Sequence, residues 1–224
     1  MVENKVDEFS GFKTDFYEIK RFLEGYDSYL KNYLSSLLRD TAKLALVAKQ
    51  SYLHSNYFDK IVLYKSPINN FSLRLHIWDD FNYPEFKSDI HNHRWDFCSV
   101  VLKGVIEETV YSKILDEGDL IEMDFSTSKN STRKYKRKNN ATLIPRYKTR
   151  LEQGMCYTKF SDELHDVVSL SSYSATLMLR MDDEKDYSSI FLKSNQNLAN
   201  REGPKSFFNV EELRLKIIKL LKNI

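Results

Sequence analysis

The chain has 224 residues, enough for one domain or for one domain with helical additions. Its 42% apolar and 13% aromatic content excludes a disordered chain, and six glycines, four prolines and no repeat of fixed period exclude a solenoid or low-complexity architecture. The formal charge is only +2, so no global attraction to nucleic acid or to an anionic membrane is expected.

The N-terminal stretch MVENKVDEFSGFKTDFYE is polar and has no apolar signal-peptide core. Residues 14–54 predict helix: Phe16, Ile19, Phe22 and Leu23, then Tyr29, Leu30, Leu34 and Leu37, follow a 3.6-residue period. Gly25 and the polar break at Arg39-Asp40-Thr41 divide the segment. An aromatic stripe of this kind reads as packing surface. From Asp59 the pattern turns to strand. In FSLRLHIW, Leu73, Leu75 and Ile77 fall on one face and Arg74, His76 and Trp78 on the other. A turn-rich stretch, DDFNYPEFKSD, leads to DIHNHRWDFCSVVLKGVIEETVY, which reads as two strands joined by a tight connection at Lys103-Gly104.

Further strands are predicted near 120–125, 141–145, 154–160, 165–170 and 175–181. Many short strands between turn signals predict a sandwich or small barrel. Residues 131–150 carry eight cations and no acid, which reads as a solvated loop between two strands or, alternatively, as an anion-binding surface. No second nucleic-acid signature accompanies it, so nucleic acid is not an expected partner. Residues 182–206 read as a linker that lets a terminal helix fold back or serve a homodimer contact. That helix starts at Asn209 with Glu212 three residues on, a capping-box pair. Two cysteines, Cys98 and Cys156, make no disulfide framework, and no apolar run is long enough to cross a bilayer, which together point to a reducing cytoplasm and no membrane partner.

The chain has five histidines, and two of them, His91 and His93, stand one residue apart. Alternate strand residues share a face, so both imidazoles can aim at one point. Neutral imidazole is a ligand for iron, zinc, copper and nickel. His165 lies far along the chain in a strand–turn–strand setting from which a barrel can return it to the pair. His-x-His, an apolar strand ending in glycine, and a later lone histidine before an apolar strand resemble the motifs of the cupin superfamily.

The resemblance spans residues 64–181 and implies a mainly β, cupin-type double-stranded β-helix (jelly-roll) barrel with helices before and after it. It divides the chain into a helical segment at 1–58, the barrel at 59–183, and a linker with a terminal helix at 184–224. It also implies one metal held by His91, His93 and His165. Where many cupins place a glutamate ligand, the count from either end puts Phe97 or Cys98, so three histidines are the simpler set. The branch most similar is the thiol dioxygenases, where a cysteine also follows His-x-His at the position of Cys98, and Glu-Thr follows the glycine as Glu108-Thr109 do here. That branch's inner histidine and tyrosine would fall near Met178 and Arg180, where neither is present.

The expected function is therefore a mononuclear non-haem iron oxygenase acting on a small molecule with O2. The alternatives are an oxygen-independent isomerase, lyase or hydrolase using Zn, Mn or Ni, and a non-catalytic binding or regulatory module. Arg74 and Arg180 interrupt apolar strands and are candidates to clamp a substrate carboxylate or phosphate, or else face solvent or pair with an acid. Trp95 is a candidate substrate wall or core residue. Cys98 is a candidate neighbour of the metal or a small buried filler, and Tyr157 is a candidate hydrogen-bond donor to an oxygen at the metal. His54 and His76 have no partner at ligand spacing.

Overall fold

Helices open the chain because its first apolar residues recur at helical spacing. In a computed structural model, which describes residues 2–9, 15–79, 88–127, 132–193 and 203–224, they are α1 (Val2–Phe9), α2 (Phe16–Glu24), a 3-10 turn (Tyr26–Ser28), α3 (Leu30–Arg39) and α4 (Thr41–Ala48). Capping sets the breaks. The Asp15 side chain accepts from the Tyr17 amide at 2.8 Å, Gly25 ends α2, and Asp40 ends α3 while accepting from the Lys43 amide at 2.9 Å. The expected helix at 14–54 thus stops at Ala48, and α1, too short to stand out in the sequence, adds buried Val2, Val6 and Phe9.

The strands follow as β1 (Tyr52–Leu53), β2 (Asp59–Lys65), β3 (Ser72–Asp79), β4 (Ile90–His91), β5 (Trp95–Lys103), β6 (Val105–Thr127), β7 (Thr132–Glu152), β8 (Cys156–Lys159), β9 (Leu164–Ser169), β10 (Tyr173–Asp183), β11 (Ser188–Lys193) and β12 (Gly203–Pro204), before α5 (Val210–Asn223). One sheet has the order β1-β2-β3-β10-β5-β8, the other β11-β4-β9-β6-β7-β12, and all pairings are antiparallel. Between β3 and β10, the orders β3-β10-β5-β8 and β4-β9-β6-β7 are those of a jelly roll, two Greek keys rolled face to face. This is the fold class the sequence led us to expect.

The main core lies outside the barrel. Leu73, Leu75 and Ile77 of β3, Cys98, Val100 and Leu102 of β5, and Leu177 and Leu179 of β10 point away from the second sheet. They pack under Ile19, Leu23, Leu34 and Leu44 of the helices. Fully burying each such side chain is worth about 1.5–3 kcal/mol. The helix α5 docks on the same layer through Leu213, Ile217 and Leu220, with the capping box of Asn209 and Glu212 formed. It therefore folds back on its own chain, where Arg214 donates to the Leu38 carbonyl and Lys216 meets Asp59 at 2.6 Å. Among the described residues no helix is long and apolar enough to cross a membrane.

Three expectations are corrected. The connection at Gly104 does not make a hairpin; it carries the chain from β5 in one sheet to β6 in the other. The basic stretch is not a loop, because 132–152 is one long strand paired along β6, where Lys148 meets Glu107 at 2.9 Å and Lys138 meets Glu122 at 3.2 Å. The predicted linker contains β11, which pairs with both β4 and the far half of β6. The loop expected at 79–89 lies largely outside the described residues.

At Gly104 the backbone has φ 76, and an added Cβ would stand 2.4 Å from the Tyr173 carbonyl oxygen. Replacing it with alanine is expected to lower stability by at least about 1 kcal/mol. Urea unfolding of Gly104→Ala measures this, and an unchanged midpoint would show that the sheet-to-sheet crossing tolerates a side chain.

Candidate metal centre and adjoining cavity

The short β4 holds His91 between two neighbours. Across one edge His91 pairs with His165 of β9, and across the other with Ile190 of β11. Asn92 turns the opposite way and locks the strand, its amide donating to the Ser189 carbonyl at 3.0 Å and its Oδ1 accepting from the Ser189 amide at 2.7 Å. Strand alternation then returns His93 to the side of His91. One ring nitrogen from each of His91, His93 and His165 lies within 4.8 Å of the others.

Hydrogen bonds fix which nitrogens remain free. A carbonyl oxygen only accepts, so His91 Nδ1 carries the proton it donates to the Asp89 carbonyl at 2.8 Å, leaving Nε2 with a lone pair. Nδ1 of His165 faces Glu108 Oε1 at 2.6 Å, which likewise leaves Nε2 for the centre. That Nε2 is 2.9 Å from Nε2 of His93. Two nitrogens each about 2.1 Å from a single cation stand roughly 3 Å apart when they subtend a right angle, so this spacing suits shared ligation. Burial, then the neighbouring imidazoles, holds His91 down to about 3 and His93 well below the ordinary histidine range. Both are therefore neutral at pH 7, the state in which imidazole binds a metal. The donor set fits one divalent transition metal.

Glu108 supports the set from behind. Burial pushes its carboxyl up, but the bond to His165 and the buried ammonium of Lys159, 3.2 Å away, outweigh that, and it is held below the usual glutamate range. A carboxylate behind a ligating imidazole fixes ring orientation and raises basicity.

Beside the histidines lies a cavity of about 440 Å3, lined by His91, His93 and Trp95. Both arginine candidates are in it. Arg74 is 8% exposed and donates through Nε to Ser72 Oγ at 2.8 Å, but its Nη1 has no partner among the described residues. Arg180 donates to the Asn70 carbonyl at 2.6 Å and pairs with Asp183, with its Nε unpartnered among the described residues. Around the Trp95 ring stand the guanidinium groups of Arg180, Arg74 and Arg94, at 4.2, 5.1 and 5.4 Å from its centroid. Each such cation–π contact is worth about 0.5–2 kcal/mol, which offsets part of the repulsion among the three charges. Burial and then the Arg180 charge push Arg74 down to about 9, and burial with Arg74 and Arg133 pushes Lys205 down to about 8.

The other candidates are placed as follows. Trp95 extends the histidine face, its ring 5.7 Å from that of His93. Tyr157 faces the barrel interior but stands behind Phe97, whose ring contacts both His93 and Tyr157, and it does not line the cavity. Cys98 is not brought to the site. It is fully buried on the helix-facing side of β5, with Sγ 3.2 Å from Thr158 Oγ1, so Phe97 occupies the inward position. His54 and His76 are outside the three-histidine group but line the cavity, His54 stacked on Phe58 and His76 tilted against it, each with ring centroids 4.5 Å apart. Sequence reasoning missed Lys159 behind Glu108 and the cavity residues Lys60, Arg94 and Lys205, of which only Arg94 stood beside the His-x-His pair. Arg133, which also lines the cavity, belongs to the basic 131–150 stretch whose alternative reading was an anion-binding surface.

No protein-family model matches the chain, and no curated protein matches it at a significant level. Solved structures are similar at low identity. A variant of oxalate decarboxylase from Bacillus subtilis is 12% identical with a TM-score of 0.36, the match covering 60% of this chain but 28% of the decarboxylase. KdgF from Halomonas sp. is 13% identical with a TM-score of 0.34, over 57% of this chain and 82% of its own. Hydroxypropylphosphonic acid epoxidase from S. wedmorenis is 10% identical with a TM-score of 0.36, over 58% of this chain and 54% of its own.

If Glu108 orients His165 for a metal, Glu108→Gln is expected to weaken divalent-metal affinity about 10–100-fold while the fold persists. Competition titration against a chromophoric chelator reads the affinity and circular dichroism reads the fold. Unchanged affinity would reduce Glu108 to a buried counter-charge for Lys159.

Proposed function

We propose that this chain is a cupin-type enzyme with a single divalent metal at His91, His93 and His165, acting on a small molecule held in the adjoining cavity. The observation that carries the reading is the meeting of three imidazole nitrogens within 4.8 Å of one another at the wall of that cavity. When bound, the metal supplies Lewis acidity and, as iron(II), a site where O2 and substrate react together. The protein's part is to keep His91 and His93 neutral by burial and to hold His165 on the Glu108 carboxylate. Phe97 and Trp95 restrict water on one side of His93. Arg74 and Arg180 orient an anionic end of the substrate.

Iron-dependent O2 chemistry is the first reading, and its substrate need not be a thiol. Of the two features that pointed to the thiol dioxygenases, Glu108 stands behind His165, whereas Cys98 faces the helices away from the site. A second reading, an oxygen-independent isomerase or lyase, draws on Lys60. Burial and then the nearby arginines push its amine well below the ordinary lysine range, the direction that suits a base in the cavity.

The two readings part under controlled oxygen. Protein loaded anaerobically with Fe(II) is expected to consume O2 with a productive substrate from a panel of small thiols, diketones, amino acids and phosphorylated compounds, and His93→Ala is expected to abolish uptake. Turnover that persists without O2 and with Zn(II) or Mn(II), but falls in Lys60→Met, would select the second reading instead.

A further inference from the structure

The cavity carries far more positive charge than one carboxylate can answer. Arg74, Arg94, Arg133, Arg180 and Lys205 all line it, and no aspartate or glutamate is among its described lining residues. Among the described residues Asp183 is the acid in ion-pair contact with this group, and it serves Arg180 and, at 3.8 Å, Arg94. Arg74 and Lys205 have no ion pair among the described residues, although Arg74 is only 8% exposed. Buried charge without a partner destabilises a fold, so its presence in numbers on one concave wall asks for a ligand that supplies the missing charge.

Surface basic stripes have a different pattern. On β7, Lys148 and Lys138 are matched across the hairpin by Glu107 and Glu122, and they stay in solvent. Arg74 and Arg180 are instead buried at the floor of a pocket, out of reach of a polymer backbone. The guanidinium groups of Arg74 and Arg180 both stand against the Trp95 ring, 5.1 and 4.2 Å from its centroid, a contact that offsets part of their repulsion.

We propose that the substrate is a small molecule with a dianionic head, the chemistry of a phosphate monoester, seated against Arg74, Arg180 and Lys205 with its organic part toward His91 and His93. This deepens the metal-enzyme reading and rests on it for the reaction, but not for the binding. A monocarboxylate would neutralise one of these cations and leave the rest strained. A phosphoryl group offers three acceptor oxygens and two charges to several donors at once. A volume of about 440 Å3 leaves room for a carbon skeleton beyond the head group.

The test is calorimetric titration of the full-length protein with inorganic phosphate, pyrophosphate and acetate at matched ionic strength. Phosphate and pyrophosphate are expected to bind and acetate to bind at least about tenfold more weakly, since each lost charge-assisted hydrogen bond is worth about ten- to hundredfold. Arg74→Gln should weaken phosphate by that factor. Lys205→Gln, at the half-buried rim, should do so without risk to the core. His93→Ala should keep phosphate binding while losing metal, which separates the anion site from the metal centre. Phosphate binding no tighter than acetate, or binding unchanged in both Arg74→Gln and Lys205→Gln, overturns the proposal even if metal binding stands. Binding lost in His93→Ala but kept in Arg74→Gln also overturns it, because phosphate would then be sitting on the metal.

Discussion

The two-residue period of the strands is the constraint from which the site follows. In β3, Leu73, Leu75 and Ile77 are committed to the helices, so Arg74 and His76 must enter the barrel. The same parity in β10 buries Leu177 and Leu179 outward and turns Met178 and Arg180 inward. In β5 it sends Cys98 and Val100 out and brings Trp95 and Phe97 in. A jelly roll stabilised only by its interior would have no room for this polar content. Here a helical layer supplies the main hydrophobic core on the outside of one sheet, and the interior is released for chemistry.

Released polar groups must still be satisfied, and they are satisfied unevenly. Behind His91 and His165 the second ring nitrogens are answered. Asp89 takes the proton of His91 Nδ1, Glu108 faces His165, and Lys159 faces Glu108. The chain thus places its buried negative charge behind the ligands and leaves the free nitrogens facing one another. In the cavity beside them the reverse holds, with positive charge gathered around Trp95 and, among the described residues, Asp183 alone in ion-pair contact with it. A cation centre next to a cationic pocket is a pairing suited to anions, which bridge the two.

Much of this was legible in residues whose role depends on local spacing. His91, the last residue of β4, and His93 two residues on reach one centre as their spacing suggested, and the Asn209–Glu212 cap follows from a three-residue interval. The division of β3 into two faces was equally plain from its alternation. Cys98 was ambiguous because counting from His93 and counting from Gly104 give opposite parity, and only the pairing of β5 with β10 settles it. Long-range arrangements left no local trace. Lys60, Arg133 and Lys205 meet only after the sheets roll and the 203–208 segment crosses the cavity mouth. The strand β7 was hidden because its charged residues match acids on β6, so its stability comes from the partner strand and not from its own composition.

X-ray absorption spectroscopy of the full-length protein loaded with one equivalent of Fe(II) or Zn(II) bears most directly on the convergence of His91, His93 and His165. The expected spectrum has nitrogen and oxygen scatterers at about 2.0–2.2 Å with the outer-ring signature of three imidazoles, and no sulfur. Sulfur scattering at about 2.3 Å from Cys98 or Cys156, or a signature of fewer than three imidazoles, would contradict a three-histidine centre.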